Sequence, residues 1–186
     1  MTSGPSLMTL FLITIFAYVS SQRYLTTSTN NALFYLHYHM KTGNVKGIKE
    51  ILIEYPQVIN NVLPDLPNLS KDKMTVLQRA LTISNTICSF EDRLEIVKFL
   101  LEREASLMNQ DIDGNTALHL AVLNPDNEDI ETQSNLILDL VIEHVGDKTS
   151  LEQRTHLILL ENNQGLTFLK ICLNYDIIGR KKYLNF

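Results

Sequence analysis

The stretch that decides the fold is Asp-Ile-Asp-Gly-Asn-Thr-Ala-Leu-His-Leu-Ala-Val, residues 111–122. Gly114 supplies the positive φ that a tight turn demands. Thr116 is placed to cap the following helix by accepting a hydrogen bond from a backbone N–H. In that helix Leu118 is predicted to face the core, and Ala121 is small enough to let a neighbouring helix approach closely. The stretch therefore predicts a turn followed by a tightly packed helix.

Degraded copies of this pattern recur along the chain. Residues 162–172 repeat it downstream, with Gly165 and Thr167 each 51 positions after their counterparts. Residues 75–80 form an upstream copy, and Leu36-His37 begins another. Equivalent leucines are predicted at four places: Leu36, Leu77, Leu118 and Leu169. Self-similarity at such spacings is the signature of stacked repeats.

A second helix follows the first in each predicted unit. Residues 94–105 carry apolar side chains at 94, 97 and 101 and again at 96 and 100, on one side of a helix. The charged Glu95, Lys98 and Glu102 fall outside that stripe. Residues 48–53 repeat the apolar pattern in the first unit. Each unit is therefore predicted to be a pair of helices joined by a turn.

The pattern Asp-x-x-Gly-x-Thr-x-Leu-His-Leu-Ala resembles the opening signature of the ankyrin-repeat family. The resemblance implies an all-α fold, an ankyrin-repeat solenoid of about four helix-turn-helix units with inserted loops. It also implies that His119 is the family's structural histidine, whose ring bonds to the turn and the threonine. An ordinary ankyrin repeat has about 33 residues, so these units are expanded. We expect the extra length at 82–92, 124–133 and 146–156, with a helical turn or two within 151–160.

The predicted domain organisation has three parts. Residues 32–183 form the repeat domain, with units at about 32–61, 71–109, 111–147 and 162–183, after a linker at 23–31. Residues 1–22 resemble a signal peptide, because residues 7–19 carry no charge and small residues precede Gln22. As a helix, residues 7–19 would reach about 20 Å, short of the roughly 30 Å hydrocarbon core of a bilayer. Three interpretations stay open for this segment: secretory targeting, a membrane anchor, or, as the remainder, a buried capping helix or a mistaken start site.

These interpretations set the predicted location and membrane contact. The protein is secreted or in the secretory pathway if residues 1–21 act as a signal peptide, and otherwise cytoplasmic. Membrane contact is expected only if the segment is retained.

The chain lacks patterns that carry chemistry. Its seven glycines fall in no phosphate-loop spacing, and its histidines lack carboxylate or cysteine companions at metal-ligand spacing. His37 and His39 would point about 200° apart on a helix, so they cannot share a metal. Cys88 and Cys172 lack CxxC spacing and are predicted to be buried thiols. We therefore expect no enzyme, no cofactor and no metal.

The net charge of −5, with 21 acidic and 16 basic residues, disfavours a nucleic acid partner. The ankyrin resemblance instead implies a protein partner, bound by the turn tips and the exposed face of the first helices, which line a concave groove. The matching positions are Lys71, Asp72, Met74, Ile112, Asp113, Asn115, Asn163, Gln164 and Leu166.

The predicted function is protein–protein interaction by a non-catalytic adaptor or inhibitor, and a signal-like start is compatible with a secreted effector. Two alternatives stay open. One is an inhibitor of Rel-type transcription factors, which small ankyrin chains with irregular loops resemble. The other is a relative of the ankyrin domain of vanilloid-type TRP channels, because residues 160–169 resemble the late repeats of that family.

Overall fold

The computed structural model describes residues 28–64, 73–123 and 133–174. These residues form eight α-helices and one short 3-10 helix, Pro56–Val58. The α-helices are α1 (28–42), α2 (Val45–Glu54), α3 (Val76–Thr82), α4 (Phe90–Glu102), α5 (Ala117–Leu123), α6 (Gln133–Lys148), α7 (Leu151–Leu159) and α8 (Phe168–Asn174). The described residues contain no β-strand, only two isolated bridges, Val62 with Thr75 and Glu161 with Thr167.

The helices form two layers. The first helices of successive units pack on one another, α3 on α5 and α5 on α8. The second helices form the other layer, with α2 on α4 and α4 on α6. Within a unit α3 packs on α4 and α5 packs on α6. This arrangement confirms the predicted all-α stack of helical hairpins.

The leucine register holds for three of the four units. Leu36, Leu77 and Leu118 are at most 1% exposed. Leu169 is only half-buried, and the adjacent Phe168 is 1% exposed. The bulky Phe168 stands where the third unit has an alanine, so it fills the core of the last unit in place of the leucine.

Local capping explains where several helices begin. Thr75 and Gln78 form a capping box at the start of α3, with each side chain bonded to the other's backbone N–H. Ser150 and Gln153 form the same box at α7. The side chain of Ser89 accepts a hydrogen bond from the Asp92 N–H and so begins α4.

The inserted segments differ in part from their predicted positions. The connection predicted at 82–92 is shorter, because α3 runs to Thr82 and the Ser89 cap starts α4 at Phe90. The guanidinium of Arg93, buried at 1% exposure, donates to the Ile83 carbonyl at 2.8 Å and holds this connection against α4. The connection predicted from 146 starts later, because α6 continues to Lys148. The additional helix predicted within 151–160 is confirmed as α7.

Some predicted boundaries fall beyond the described residues. The signal-like segment 1–22 and most of the loop 124–133 lie outside them. Residues 28–31, assigned to a linker from the sequence, are helical. The domain boundaries therefore stay a prediction. Within the described ranges, no helix is both long and apolar enough to cross a membrane.

Candidate protein-binding site at the third and fourth turns

The third turn, residues 111–115, is built around Asp111. Its carboxylate Oδ1 accepts hydrogen bonds from the backbone N–H of Asp113 at 2.9 Å and of Asn115 at 2.7 Å. The Asp111 N–H donates to the Asn115 carbonyl at 3.0 Å and closes the hairpin. Gly114 has a φ of +77°, a conformation that glycine adopts without the steric cost of a Cβ. The turn is thus fixed by its own residues.

The fourth turn, residues 162–166, reproduces this construction with an amide in place of the carboxylate. Asn162 Oδ1 accepts from the backbone N–H of Gln164 and of Leu166, both at 3.0 Å. The Asn162 N–H donates to the Leu166 carbonyl at 2.9 Å, and Gly165 has a φ of +71°. The two turns are therefore structurally equivalent at the offset of 51 residues that was read from the sequence.

The two turns are fastened to each other. Asn162 Nδ2 donates to Asn115 Oδ1 at 2.9 Å. The Asn163 backbone N–H donates to the Asp113 carbonyl, and Asn163 Nδ2 donates to the Ile112 carbonyl, both at 2.9 Å. Three hydrogen bonds between adjacent turn tips leave little room for independent movement. The two tips therefore form one preorganised surface, and preorganisation lowers the entropic cost of binding.

His119 joins the third unit to the fourth from within the core. Its Nδ1 lies 3.2 Å from the Thr116 backbone nitrogen and 2.7 Å from the Thr116 hydroxyl. Because an N–H only donates, Nδ1 is the acceptor, so Nε2 carries the proton and donates to the Leu166 carbonyl at 3.0 Å. Burial lowers the pKa of His119 and favours this neutral form. The ring occupies the position that the family resemblance predicted, and its role is structural.

Two of the nine predicted binding residues, Lys71 and Asp72, lie outside the described residues. Met74 is half-buried beside the second turn. The other six lie at the third and fourth turns. Ile112 is 45% exposed there, and Asp113, Asn163 and Gln164 are also exposed.

Two predicted residues in these turns are less accessible. Asn115 is only 8% exposed, and its amide bonds to Asp111 and Asn162. It was expected to face a partner, but its side-chain amide is hydrogen-bonded within and between the two turns because their tips are in contact. Leu166 is half-buried, and its carbonyl receives the His119 bond. Both side chains still line the space between the turns.

A pocket of about 440 Å³ opens between the third and fourth turns. Four predicted residues line it: Asp113, Asn115, Gln164 and Leu166. Sequence reasoning missed three others, Leu123, Asn162 and Ile171. The register would have found Asn162, which stands 51 positions after Asp111. Leu123 and Ile171 carry no signal of their own, because their approach to the turns depends on how the helices stack.

A second cavity, of about 590 Å³, lies where α7 meets the C-terminal ends of α4 and α6. Its lining includes Glu102, His144 and Lys148. Burial lowers the pKa of His144, and the nearby Lys148 ammonium lowers it further. Within the described ranges, no three His, Cys, Asp or Glu side chains come together in a way that could hold a metal ion.

The cysteines confirm one sequence prediction. Cys88 and Cys172 are both free and buried. Burial raises the pKa of the Cys172 thiol to about 11. Burial also raises the pKa of Cys88, and the Asp92 carboxylate adds to that effect. Thiols held in the protonated form are poor nucleophiles, as expected of residues that serve as core spacers.

Comparison with known proteins defines the class. Residues 86–130 match the family model for ankyrin repeats (many copies). The described part of this segment runs from the connection before α4 through the third turn and α5. Residues 86–130 therefore carry ankyrin repeats, and the helical hairpins packed on either side continue the same two-layer stack. The ankyrin family is in general non-catalytic and binds protein partners.

A curated relative gives a more particular likeness. The chain is 38% identical over 77 residues to transient receptor potential cation channel subfamily V member 5 of Rattus norvegicus. The match covers 41% of this chain and 10% of that protein. The chain therefore resembles one short part of a much longer channel subunit.

Proposed function

We propose that the chain is a non-catalytic adaptor or inhibitor that binds a protein partner through the tips of its third and fourth turns. The observation that carries the proposal is the preorganised pair of turns, where exposed Asp113 and Gln164 line a pocket of about 440 Å³ and exposed Ile112 precedes Asp113 in the third turn. Ile112 is an apolar anchor at a hairpin tip, where folding buries only part of its side chain. Asp113 and Gln164 add polar groups that orient a partner.

The structure of the site fits protein recognition better than catalysis. A catalytic site needs a nucleophile or base whose hydrogen bonds are directed at a substrate. Here the side chains of Asp111, Asn115, Asn162 and His119 direct their bonds at the turns themselves. The groups left at the surface are an isoleucine, a carboxylate and an amide, which suit apolar and hydrogen-bonded contacts with a partner.

Substitution of Ile112 with Asp tests the site. We expect affinity capture with the full chain to recover a stable protein partner, and Ile112→Asp to weaken that binding at least about tenfold, the loss that follows from removing one buried anchor. Leu151→Asp is the matched control. Leu151 is 76% exposed and occupies the first position of α7, where an acidic residue is favourable. Equal binding by all three chains would contradict the site, and turnover of a substrate without any bound protein would contradict the function.

The cellular setting is a separate question with its own measurement. The same turns would serve a secreted effector if residues 1–21 are removed, and a cytoplasmic adaptor if they are retained. N-terminal sequencing of the native protein separates the two. A start at Gln22 supports the effector, and a start at Met1 supports the adaptor.

The channel likeness supports a second candidate, in which the chain acts as a relative of the ankyrin domain of a vanilloid-type TRP channel. The 38% identity over 77 residues favours it. Under this candidate the chain would bind the partners of such a domain in competition with it. Competition between this chain and a purified ankyrin domain of the rat channel for a captured partner would support the idea. Unchanged capture in excess channel domain would oppose it.

A further inference from the structure

The pocket between the third and fourth turns combines apolar lining with a polar edge. Ile171, which is 1% exposed, and the half-buried Leu123 and Leu166 supply aliphatic surface. Asp113 and Gln164, both exposed, supply a carboxylate and an amide. The volume of about 440 Å³ is within the range of pockets that hold ligands. The pocket therefore suits a side chain that is apolar along most of its length and polar at its end.

The Asp113 carboxylate is the charged group of this pocket. Among the described residues that line it, Asp113 alone carries a charge, and its carboxylate makes no hydrogen bond or ion pair with any other described residue. The Asp113 backbone, in contrast, is fixed on both sides. Its N–H donates to Asp111 Oδ1, and its carbonyl accepts from the Asn163 N–H, both at 2.9 Å. The carboxylate is thus positioned by the turns and available to a ligand.

Gln164 provides a second available group on the fourth turn. Its backbone N–H donates to Asn162 Oδ1 at 3.0 Å, and its side-chain amide makes no hydrogen bond within the described ranges. Asn162 Nδ2 in turn donates to Asn115 Oδ1, which fixes Gln164 relative to the third turn. A carboxylate and the carbonyl of a side-chain amide are both hydrogen-bond acceptors. The pocket therefore offers two acceptors to a donor that enters it.

The surroundings of the pocket are acidic. Residues 110–116 and 161–170, which contain the two turns, carry the acidic Asp111, Asp113 and Glu161 and the basic Lys170. The Lys170 ammonium is already bonded to Glu161 Oε1 at 2.9 Å and to the Gly165 carbonyl at 2.8 Å. Three carboxylates against one ammonium give this end of the turns a negative field. The field favours a cationic group over an anionic one.

Arginine is the side chain that matches these features. Its methylene stem packs on apolar surface while its charged head stays in contact with water. Its guanidinium presents five N–H donors in a fixed fork, so it can bond a carboxylate and still donate to an amide carbonyl. The ammonium of lysine is a compact and more strongly hydrated charge, so it is the poorer match to two acceptors.

We propose that this pocket binds an arginine side chain of the protein partner, with the guanidinium on the Asp113 carboxylate and the Gln164 amide carbonyl. The proposal rests on the proposed function and deepens it, because it states the chemistry that the partner presents. Ile112 precedes Asp113 and is 45% exposed, so an apolar residue beside the arginine would contact it. The partner is therefore a segment in which an arginine adjoins an apolar residue.

Peptide titration of the full-length chain, followed by its backbone amide NMR signals, tests the proposal. The probe is acetyl-Ile-Arg-Ile-amide, and the reference peptide carries citrulline, the uncharged isostere, in place of arginine. We expect the arginine peptide to shift the amide signals of Asp113, Gln164 and Leu166. It should bind at least about tenfold more tightly than the citrulline peptide, because charge-assisted hydrogen bonds are the stronger kind. Equal binding of the two peptides, or shifts confined to other residues, would overturn the proposal.

Asp113→Asn removes the carboxylate and keeps the size of the side chain. The variant should fold, because that carboxylate makes no bond within the described residues, and it should bind the arginine peptide at least about tenfold more weakly. Asp147→Asn is the matched control, since Asp147 is exposed on α6 and the variant has the same net charge. Unchanged affinity in Asp113→Asn, or an equal loss in Asp147→Asn, would overturn the proposal.

Capture of the protein partner separates this proposal from the proposed function. If Ile112→Asp weakens capture and Asp113→Asn does not, the binding function stands and the arginine proposal is wrong. If both variants weaken capture and the arginine peptide competes with the partner, both are supported. A chain that captures no protein contradicts the binding function, and the peptide titration alone then upholds or overturns the arginine specificity of the pocket.

Discussion

Two interfaces between adjacent units, here called joints, are bridged by equivalent hydrogen bonds from different residues. One joint connects the second unit to the third, and the other connects the third unit to the fourth. In each, one buried side chain crosses from a first helix to a carbonyl in the next turn. Gln78 Nε2 donates to the Asn115 carbonyl at 3.1 Å, and His119 Nε2 donates to the Leu166 carbonyl at 3.0 Å. Both donors and both acceptors are equivalent in the repeat register. Equivalent positions in the two joints therefore make equivalent hydrogen bonds, although the donor is an amide in one and an imidazole in the other.

The two joints differ in two physical respects. Lys73 occupies the left-handed turn position of the second unit with a φ of +50°, where the third unit has Gly114. A side chain fits at Lys73, whereas a Cβ at Gly114 would lie 2.7 Å from Asn163 Oδ1 and 2.8 Å from Asn163 N. The crossing group also differs, because imidazole titrates near neutral pH and an amide does not. The third-to-fourth joint is therefore the more closely packed of the two, and its stability is the one that depends on pH.

The largest expected effect comes from alanine at the glycines of the two fastened turns. Gly114→Ala adds left-handed strain and a clash with the Asn163 backbone, for a loss of about 2–4 kcal/mol in the free energy of unfolding. Gly165→Ala is the matched control, since nothing lies within 4 Å of its Cβ position. It should lose only about 1 kcal/mol, from strain alone. Urea unfolding of the two variants measures the difference, and equal losses would show that the turn tips do not abut.

A smaller effect is expected for His119→Gln, which places at the third-to-fourth joint the residue type that Gln78 supplies at the second-to-third joint. Burial lowers the pKa of His119 below its ordinary 6.5, so the unfolded chain binds this proton more readily. The stabilising contribution of His119 is thus present above pH 6.5 and is lost as the pH falls through that value toward the lower folded pKa.

His119→Gln should cost about 1 kcal/mol at pH 8, since an amide preserves one hydrogen bond with less ideal packing. Below pH 6.5 the variant should close that gap with the natural chain, because it has no proton to gain at this position. Urea unfolding of both chains from pH 8 to pH 5 measures the gap. A gap that is constant with pH would mean that His119 is not held neutral by the fold.

The sequence predicted the register because glycine, threonine and small core residues have local reasons to stand where they do, whereas the structural role of His119 was implied by the ankyrin resemblance. It did not predict the crossing bond of Gln78, because glutamine is common in capping boxes and Asn115, whose carbonyl its Nε2 also bonds, belongs to another unit. The burial of Asn115 was missed for the same reason. Its contact with Asn162 exists only once the turns are stacked. Local conformation is determined by neighbouring residues and can be predicted from them, whereas contacts between units depend on how the helices pack.

The most direct test of the stacked third and fourth units is the state of the His119 ring, followed by the nitrogen chemical shifts of its imidazole through a pH titration. The bond to the Leu166 carbonyl predicts a neutral ring with the proton on Nε2, still uncharged when the pH has fallen below 6.5. A ring that carries its proton on Nδ1, or that titrates at 6.5 as in an unfolded peptide, would contradict the layering of these two units.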